Sequence, residues 1–214
     1  MARPLHPGHD TRPVSANGFF GRDRDLAALT ALVAAHPVVT VAGSGGAGKT
    51  RLVREFAAGA RGPVWFAELA DVTDPEAVAG AIAATAGVVR ASPFHGHLAV
   101  ALADAAGLLV VDNCEHLIER CAQLISELAE RCHGLRIIAT SREPLNIPPE
   151  AVLRLGPLSV PGSDALAELA LSPAVAMFVE RARHRDRDFA VPSECLSWAP
   201  NLPIARPEQD RPSG

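Results

Sequence analysis

The sequence predicts an α/β sandwich built on a largely parallel sheet. Short apolar runs alternate with amphipathic segments along most of the chain. Two of those runs, Val38–Val41 with its β-branched Thr40 and Leu108–Val111, carry no charge and no polar alternation, as strands covered on both faces must. A glycine-rich stretch joins the first run to the helix after it. Hydrophobic residues make up 48% of the 214 positions, enough for one substantial core.

Residues 1–18 carry Pro4, Pro7, Gly8, Pro13 and Gly18 between small or polar residues and read as a mobile leader. From Arg24 to Ala35, Leu26, Leu29, Leu32 and Val33 recur at helical spacing until Pro37 ends the segment. Val38–Val41 is rich in β-branched residues and predicts a buried strand. Leu52, Val53, Phe56 and Ala57 mark the next helix, and Val64 to Leu69 a second strand. Pro75 to Ala86 reads as a helix capped by Asp74 with Pro75 at its first position, and His95 to Ala106 as another.

Leu108–Val111 is the third strand and ends at Asp112. Leu117, Cys121, Leu124, Leu128 and Cys132 line one face of the helix after it, with Ile118 and Ile125 widening the stripe. Leu135 to Thr140 gives a fourth strand with Ser141 and Arg142 at its end, and Ala151 to Leu155 a fifth. A last helix is marked by Ala174, Phe178 and Ala182. Residues 190–214 hold five prolines and no periodicity, which predicts a disordered tail.

A net charge of -4 gives no general attraction to nucleic acid or to an anionic membrane. The run Arg181, Arg183, Arg185 and Arg187 is nearly balanced by Glu180, Asp186 and Asp188, so direct DNA binding is not expected of this chain. No segment reaches the ~20 apolar residues that cross a bilayer, and the N-terminus lacks a signal-peptide pattern. Cys114, Cys121, Cys132 and Cys195 have neither zinc-ribbon spacing nor a secretory context, and Cys121 and Cys132 fall on an apolar helix face. A soluble, reduced, cytoplasmic protein is the expectation.

Gly43-Ser44-Gly45-Gly46-Ala47-Gly48-Lys49-Thr50 fits the phosphate-loop pattern G-x-x-x-x-G-K-[ST] throughout. Glycines let successive N–H groups curl around a phosphate, and the helix that starts there adds its free amides and positive dipole end. Lys49, the only lysine of the chain, can reach the β and γ phosphates, and the Thr50 hydroxyl can ligate Mg²⁺. ATP or ADP with Mg²⁺ is therefore the expected ligand. The fold class sharpens to a P-loop NTPase three-layer sandwich.

Asp112 can hold Mg²⁺ opposite Thr50, or cap the next helix. Glu115 can orient water, or simply sit in a first helical turn where the dipole favours acids. Asn113 stands beside Asp112 where an active ATPase often has a second carboxylate, which predicts slow turnover. Arg142 can face the phosphates from a neighbouring strand tip, or lie exposed at a turn; Thr140 and Ser141 are lesser candidates for polar contacts there.

Together, Phe20-Gly21-Arg22, Gly43 to Thr50, the Asp-Asn-Cys-Glu-His run ending Leu108 to His116, and Ala139-Thr140-Ser141-Arg142-Glu143-Pro144-Leu145 resemble the signal-transduction (STAND) ATPases related to NB-ARC proteins. Within that group the chain is similar to the ATPase region of large actinobacterial transcriptional regulators, including LuxR-type and antibiotic-pathway regulators. The resemblance covers roughly residues 18–189. It implies a five-stranded sheet in the order 5-1-4-3-2, with Asp112 as the Mg²⁺ aspartate and Arg142 as the first sensor arginine. Phe20, Gly21 and Arg22 would lie near the base, and Arg51 would join Gly43 to Thr50 in holding the nucleotide. Lys49, Asp112, Glu115 and Arg142 are the candidate catalytic residues.

The family continues through a Gly-Leu-Pro-Leu segment into a winged-helix domain, whereas Asn201-Leu202-Pro203-Ile204 lacks the matching context, so a truncated core is expected. The expected layout is a leader at 1–18, a nucleotide-binding domain at 19–170, the start of a helical domain at 171–189 and a tail at 190–214. The leading functional expectation is an ATP/ADP switch with weak ATPase activity, working through self-association or a regulatory protein partner. The alternatives are a P-loop kinase for a small substrate and a non-catalytic interaction protein.

Overall fold

The computed structural model describes residues 10–11, 19, 21–88, 96–158 and 172–186. They fall into two compact units divided between Pro157 and Leu158. In the first, five strands run β1 (Val38–Ala42), β2 (Val64–Glu68), β3 (Gly107–Asp112), β4 (Leu135–Ser141) and β5 (Glu150–Arg154). They form one sheet in the order β2-β3-β4-β1-β5, and every neighbouring pair is parallel. This is the predicted P-loop sandwich with the predicted strand order.

Helices cover the parallel sheet on both faces. α1 (Asp23–Ala35) and α2 (Lys49–Gly59) cover one face, where Leu29, Val33, Leu52, Val53 and Ala57 meet Val39, Val41, Leu108, Val110 and Ile138. α3 (Val78–Thr85), α4 (Gly96–Leu102) and α5 (Ile118–Arg131) cover the other, where Ile82, Leu98, Leu124, Ile125 and Leu128 meet Leu109, Val111, Ile137 and Ala139. β1 and β3 thus send alternate residues into two separate cores, which is why neither shows the polar alternation of a half-exposed strand. Cys114, Cys121 and Cys132 are buried in the second core as free thiols. The second unit contains α6 (Pro173–Arg185).

Several elements differ from expectation. The helix from Pro75 to Ala86 divides into a single 3-10 turn, Pro75–Ala77, and α3, although Asp74 caps it as foreseen by accepting the Glu76 N–H at 2.9 Å. α4 is shorter than the predicted span 95–106. Thr11, inside the stretch read as a mobile leader, is anchored on the edge of the sheet: its N–H donates to Val64 O at 2.9 Å, and its hydroxyl accepts from Phe66 N at 2.8 Å. An edge strand leaves alternate backbone groups unpaired, and one threonine serves two of them. Among the described residues, no helix is long and apolar enough to cross a membrane.

Candidate functional site

The glycine loop leaves β1 after Ala42 and enters α2 at Lys49. Its first residue is dictated by packing, because a Cβ on Gly43 would stand 2.5 Å from the carbonyl oxygen of Leu155. The same junction is closed by hydrogen bonds from Leu155 N to Ala42 O at 2.7 Å and from Gly43 N to Ser141 O at 3.2 Å. Both strands flanking β1 thus fix where the loop starts. Gly43→Ala should destabilise the fold by about 1–3 kcal/mol through overpacking against backbone that cannot yield. A urea titration of the variant checks this, and a wild-type midpoint would refute it.

Gly46 and Gly48 serve differently. Their φ values of 76° and 91° lie in the left-handed region, and a Cβ on either would meet nothing within 4 Å. The loop therefore needs glycine for its backbone path while its outer side stays open, which is the cradle a phosphate group fits.

Lys49 is only 8% exposed, and its ammonium donates to Gly43 O at 2.9 Å and to Ser44 O at 3.1 Å. An ammonium has three donors, so one remains after the loop is closed on itself. Arg22 braces the loop from outside. Its guanidinium donates to Ala47 O at 2.9 Å, to Gly156 O at 2.8 Å and to Asp25 at 2.9 Å. Gly21 precedes it with φ 63°, and Phe20 lies outside the described residues. Arg51 comes after the loop on α2 and pairs with Glu55 at 3.9 Å.

Asp112 ends β3 beside this loop and is 6% exposed. The Thr50 hydroxyl donates to its carboxylate, 2.9 Å from Oδ1 and 3.1 Å from Oδ2. The Thr140 hydroxyl, from the tip of β4, donates to Oδ1 at 2.6 Å and accepts the Asn113 N–H at 2.9 Å. Asp112 does not cap a helix: a 3-10 turn, Cys114–His116, intervenes, and α5 begins at Ile118 without a side-chain cap. Thr50 and Asp112, the two residues predicted to hold Mg²⁺, are in direct contact. A hydroxyl and a carboxylate are the hard oxygen donors that this ion takes.

Glu115 and Arg142 are brought together with each other. Arg142 Nε lies 3.3 Å from Glu115 Oε1, with Arg142 70% exposed and Glu115 16%. The other Glu115 oxygen, Oε2, is buried and finds no protein donor among the described residues. The remaining residues of that turn are structural. Cys114 donates its thiol to Val111 O at 3.4 Å, and its pKa is pushed well up by the hydrogen bond with Cys121 and by burial. The His116 ring meets Val72 O at 2.8 Å through Nε2, and a carbonyl partner requires that nitrogen to carry the proton. Asn113 takes the left-handed φ of 69° that asparagine tolerates better than most residues.

In the sequence, Thr140 stands only as a lesser candidate for polar contacts at a strand tip. A threonine closing a buried strand looks like a β-former, and the signal that reveals more is its alternation onto the face shared with Asp112. That signal becomes readable only when β4 is known to lie beside β3. The Leu155 and Gly156 carbonyls carried no signal at all, since any residue supplies a carbonyl.

This loop, cradled between a parallel sheet and α2 with a threonine and an aspartate in contact beside it, defines a P-loop NTPase domain, the class of fold that binds ATP. Residues 18–187 match the AAA ATPase domain family, and the chain belongs to that family. Rv0890c of Mycobacterium tuberculosis, whose name places it among HTH-type transcriptional regulators, is 33% identical over 171 residues, covering 76% of this chain and 18% of that protein. The uncharacterized protein Mb0918 of Mycobacterium bovis is 31% identical over 201 residues, 89% of this chain and 47% of its own length. The chain thus spans less than half of either curated relative.

Two solved structures share the fold. The STAND protein with a tetratricopeptide repeat sensor, PH0952 from Pyrococcus horikoshii, aligns with TM-score 0.51 at 17% identity over 90% of this chain and 29% of its own. The Walker-type ATPase PABY2304 of Pyrococcus abyssi aligns with TM-score 0.50 at 16% identity over 87% of this chain and 64% of its own.

Proposed function

We propose that this chain is the nucleotide switch of a regulatory protein, binding ATP or ADP with Mg²⁺ and hydrolysing ATP slowly. The observation that carries this reading is the Thr50–Asp112 contact beside a glycine loop whose lysine is already turned inward. In it, the amides of Gly43 to Thr50 and the helix N-terminus receive the phosphates, Lys49 reaches the β and γ phosphates, and Thr50 and Asp112 hold the metal. Mg²⁺ bound there neutralises charge on the phosphate oxygens. Arg22 keeps the loop in place rather than touching the base, because its guanidinium already serves Ala47, Gly156 and Asp25.

Slow turnover rests on the turn after Asp112. Asn113 supplies no base, and the carboxylate of that turn, Glu115, is held through Oε1 by Arg142, which leaves Oε2 alone to accept a proton. Arg142 then has two partners to choose between, Glu115 and a terminal phosphate, which suits a residue that reports nucleotide state. The regulatory context rests on Rv0890c, a relative named as an HTH-type transcriptional regulator, and direct DNA binding is not part of the reading for this chain. A cytoplasmic site of action and a protein partner or self-association complete the reading.

Isothermal titration with ATP and ADP, each with Mg²⁺ and with chelator, and then measurement of phosphate release, tests it. Both nucleotides should bind, with turnover well below the ~10 s⁻¹ typical of enzymes. Failure to bind either nucleotide overturns the proposal. Rapid γ-phosphoryl transfer to an added metabolite would make the chain a kinase instead.

A further inference from the structure

We propose that Thr140 is the positioning residue for the metal-binding carboxylate, fixing which oxygen of Asp112 is left for Mg²⁺ or its water. The inference rests on the nucleotide-binding reading above and assigns a residue which that reading does not use.

Protons and lone pairs decide which carboxylate oxygen stays free. Asn113 N–H points into Thr140 Oγ1 at 2.9 Å, so the threonine oxygen is the acceptor in that bond. Its single proton is then committed to Asp112 Oδ1, 2.6 Å away. Thr50 brings a second hydroxyl proton to the same carboxylate, closer to Oδ1 than to Oδ2. Oδ1 therefore receives two donors, while Oδ2 shares only the outer part of one. Oδ2 is the oxygen with acceptor capacity to spare.

Thr140 also fixes the carboxylate plane. It is 1% exposed on β4, the strand next to β3, and a side chain so enclosed has one rotamer to offer. The Asn113 amide that holds its oxygen belongs to the residue after Asp112, so the relay runs from the end of β3 to Thr140 on β4 and back to the residue that follows β3. Loss of the hydroxyl frees the carboxylate to rotate and strips the Asn113 amide of its acceptor. Partners of this kind around a metal ligand commonly set 10–100-fold of metal affinity.

The test compares Thr140→Val, which keeps the shape, with Thr140→Ser, which keeps the hydroxyl. For each, nucleotide affinity is measured with Mg²⁺ and with chelator, and the ratio of the two is the readout. Thr140→Val should lower that ratio by about tenfold while leaving the Mg²⁺-free affinity unchanged, and Thr140→Ser should restore it. Hydrogen exchange at the Asn113 amide should quicken in the valine variant alone. A wild-type ratio in a folded Thr140→Val chain overturns the proposal and leaves the nucleotide reading intact. If the valine variant does not fold, a lowered ratio in Thr140→Ser overturns it, and a retained ratio beside a lowered one in Thr140→Ala supports it. A wild-type chain that binds no nucleotide removes the functional reading itself.

Discussion

Replacing Lys49 by alanine is expected to weaken ATP and ADP binding by about 100-fold, close to 3 kcal/mol. The size comes from the contacts an ammonium makes with phosphate, since hydrogen bonds involving charged groups contribute about 1.5–3 kcal/mol each. No other residue of the loop can take over, because Lys49 is the only lysine of the chain and the loop around it is otherwise glycine, serine, alanine and threonine. Folding should suffer little. Among the described residues the ammonium bonds to Gly43 O and Ser44 O, and both belong to a loop in which Gly46 and Gly48 face open space on their outer side. Lys49→Arg should fall between wild type and alanine, having charge but a planar fork too wide for a cradle shaped around a compact ammonium. Titration calorimetry with each variant decides the matter, and an unchanged affinity in Lys49→Ala would remove the lysine from the site.

How much of this was legible in the sequence depends on the range of the interaction. The strands β1 and β3 announced themselves because burial on both faces leaves no charged position in Val38–Val41 or Leu108–Val111. The loop was legible because it is a local device: glycines at fixed offsets, then Lys49 and Thr50, on consecutive residues. Asp112 was legible as the polar end of an apolar strand, although its second reading, a helix cap, persisted until the 3-10 turn at Cys114–His116 was seen between it and α5. Pairings between distant segments were not legible. The Glu115–Arg142 contact, the Thr140 relay and the approach of Leu155 to Gly43 all depend on which strands become neighbours, and that order came from resemblance rather than from the residues themselves.

Asp112→Ala is expected to abolish the Mg²⁺ dependence of nucleotide binding, so that affinity with Mg²⁺ falls to the value seen with chelator. It should also lower stability, for a reason separate from the metal. Thr140 is buried and its hydroxyl proton has Asp112 as acceptor; removal of that acceptor leaves a buried donor unserved, which costs about 1–3 kcal/mol. For a chain of this length such a loss lowers Tm by several degrees. Asp112→Asn separates the two effects. An amide oxygen turned toward Thr140 still accepts its proton, so stability should stay nearer the wild type, yet the negative charge that attracts the cation is gone. Thermal melts and calorimetry on the two variants should therefore diverge, with melting temperatures apart and Mg²⁺ dependence lost in both. If Asp112→Asn keeps the wild-type Mg²⁺ dependence, the carboxylate organises the two threonines but does not hold the metal, and the Thr50 hydroxyl would be left as its protein ligand.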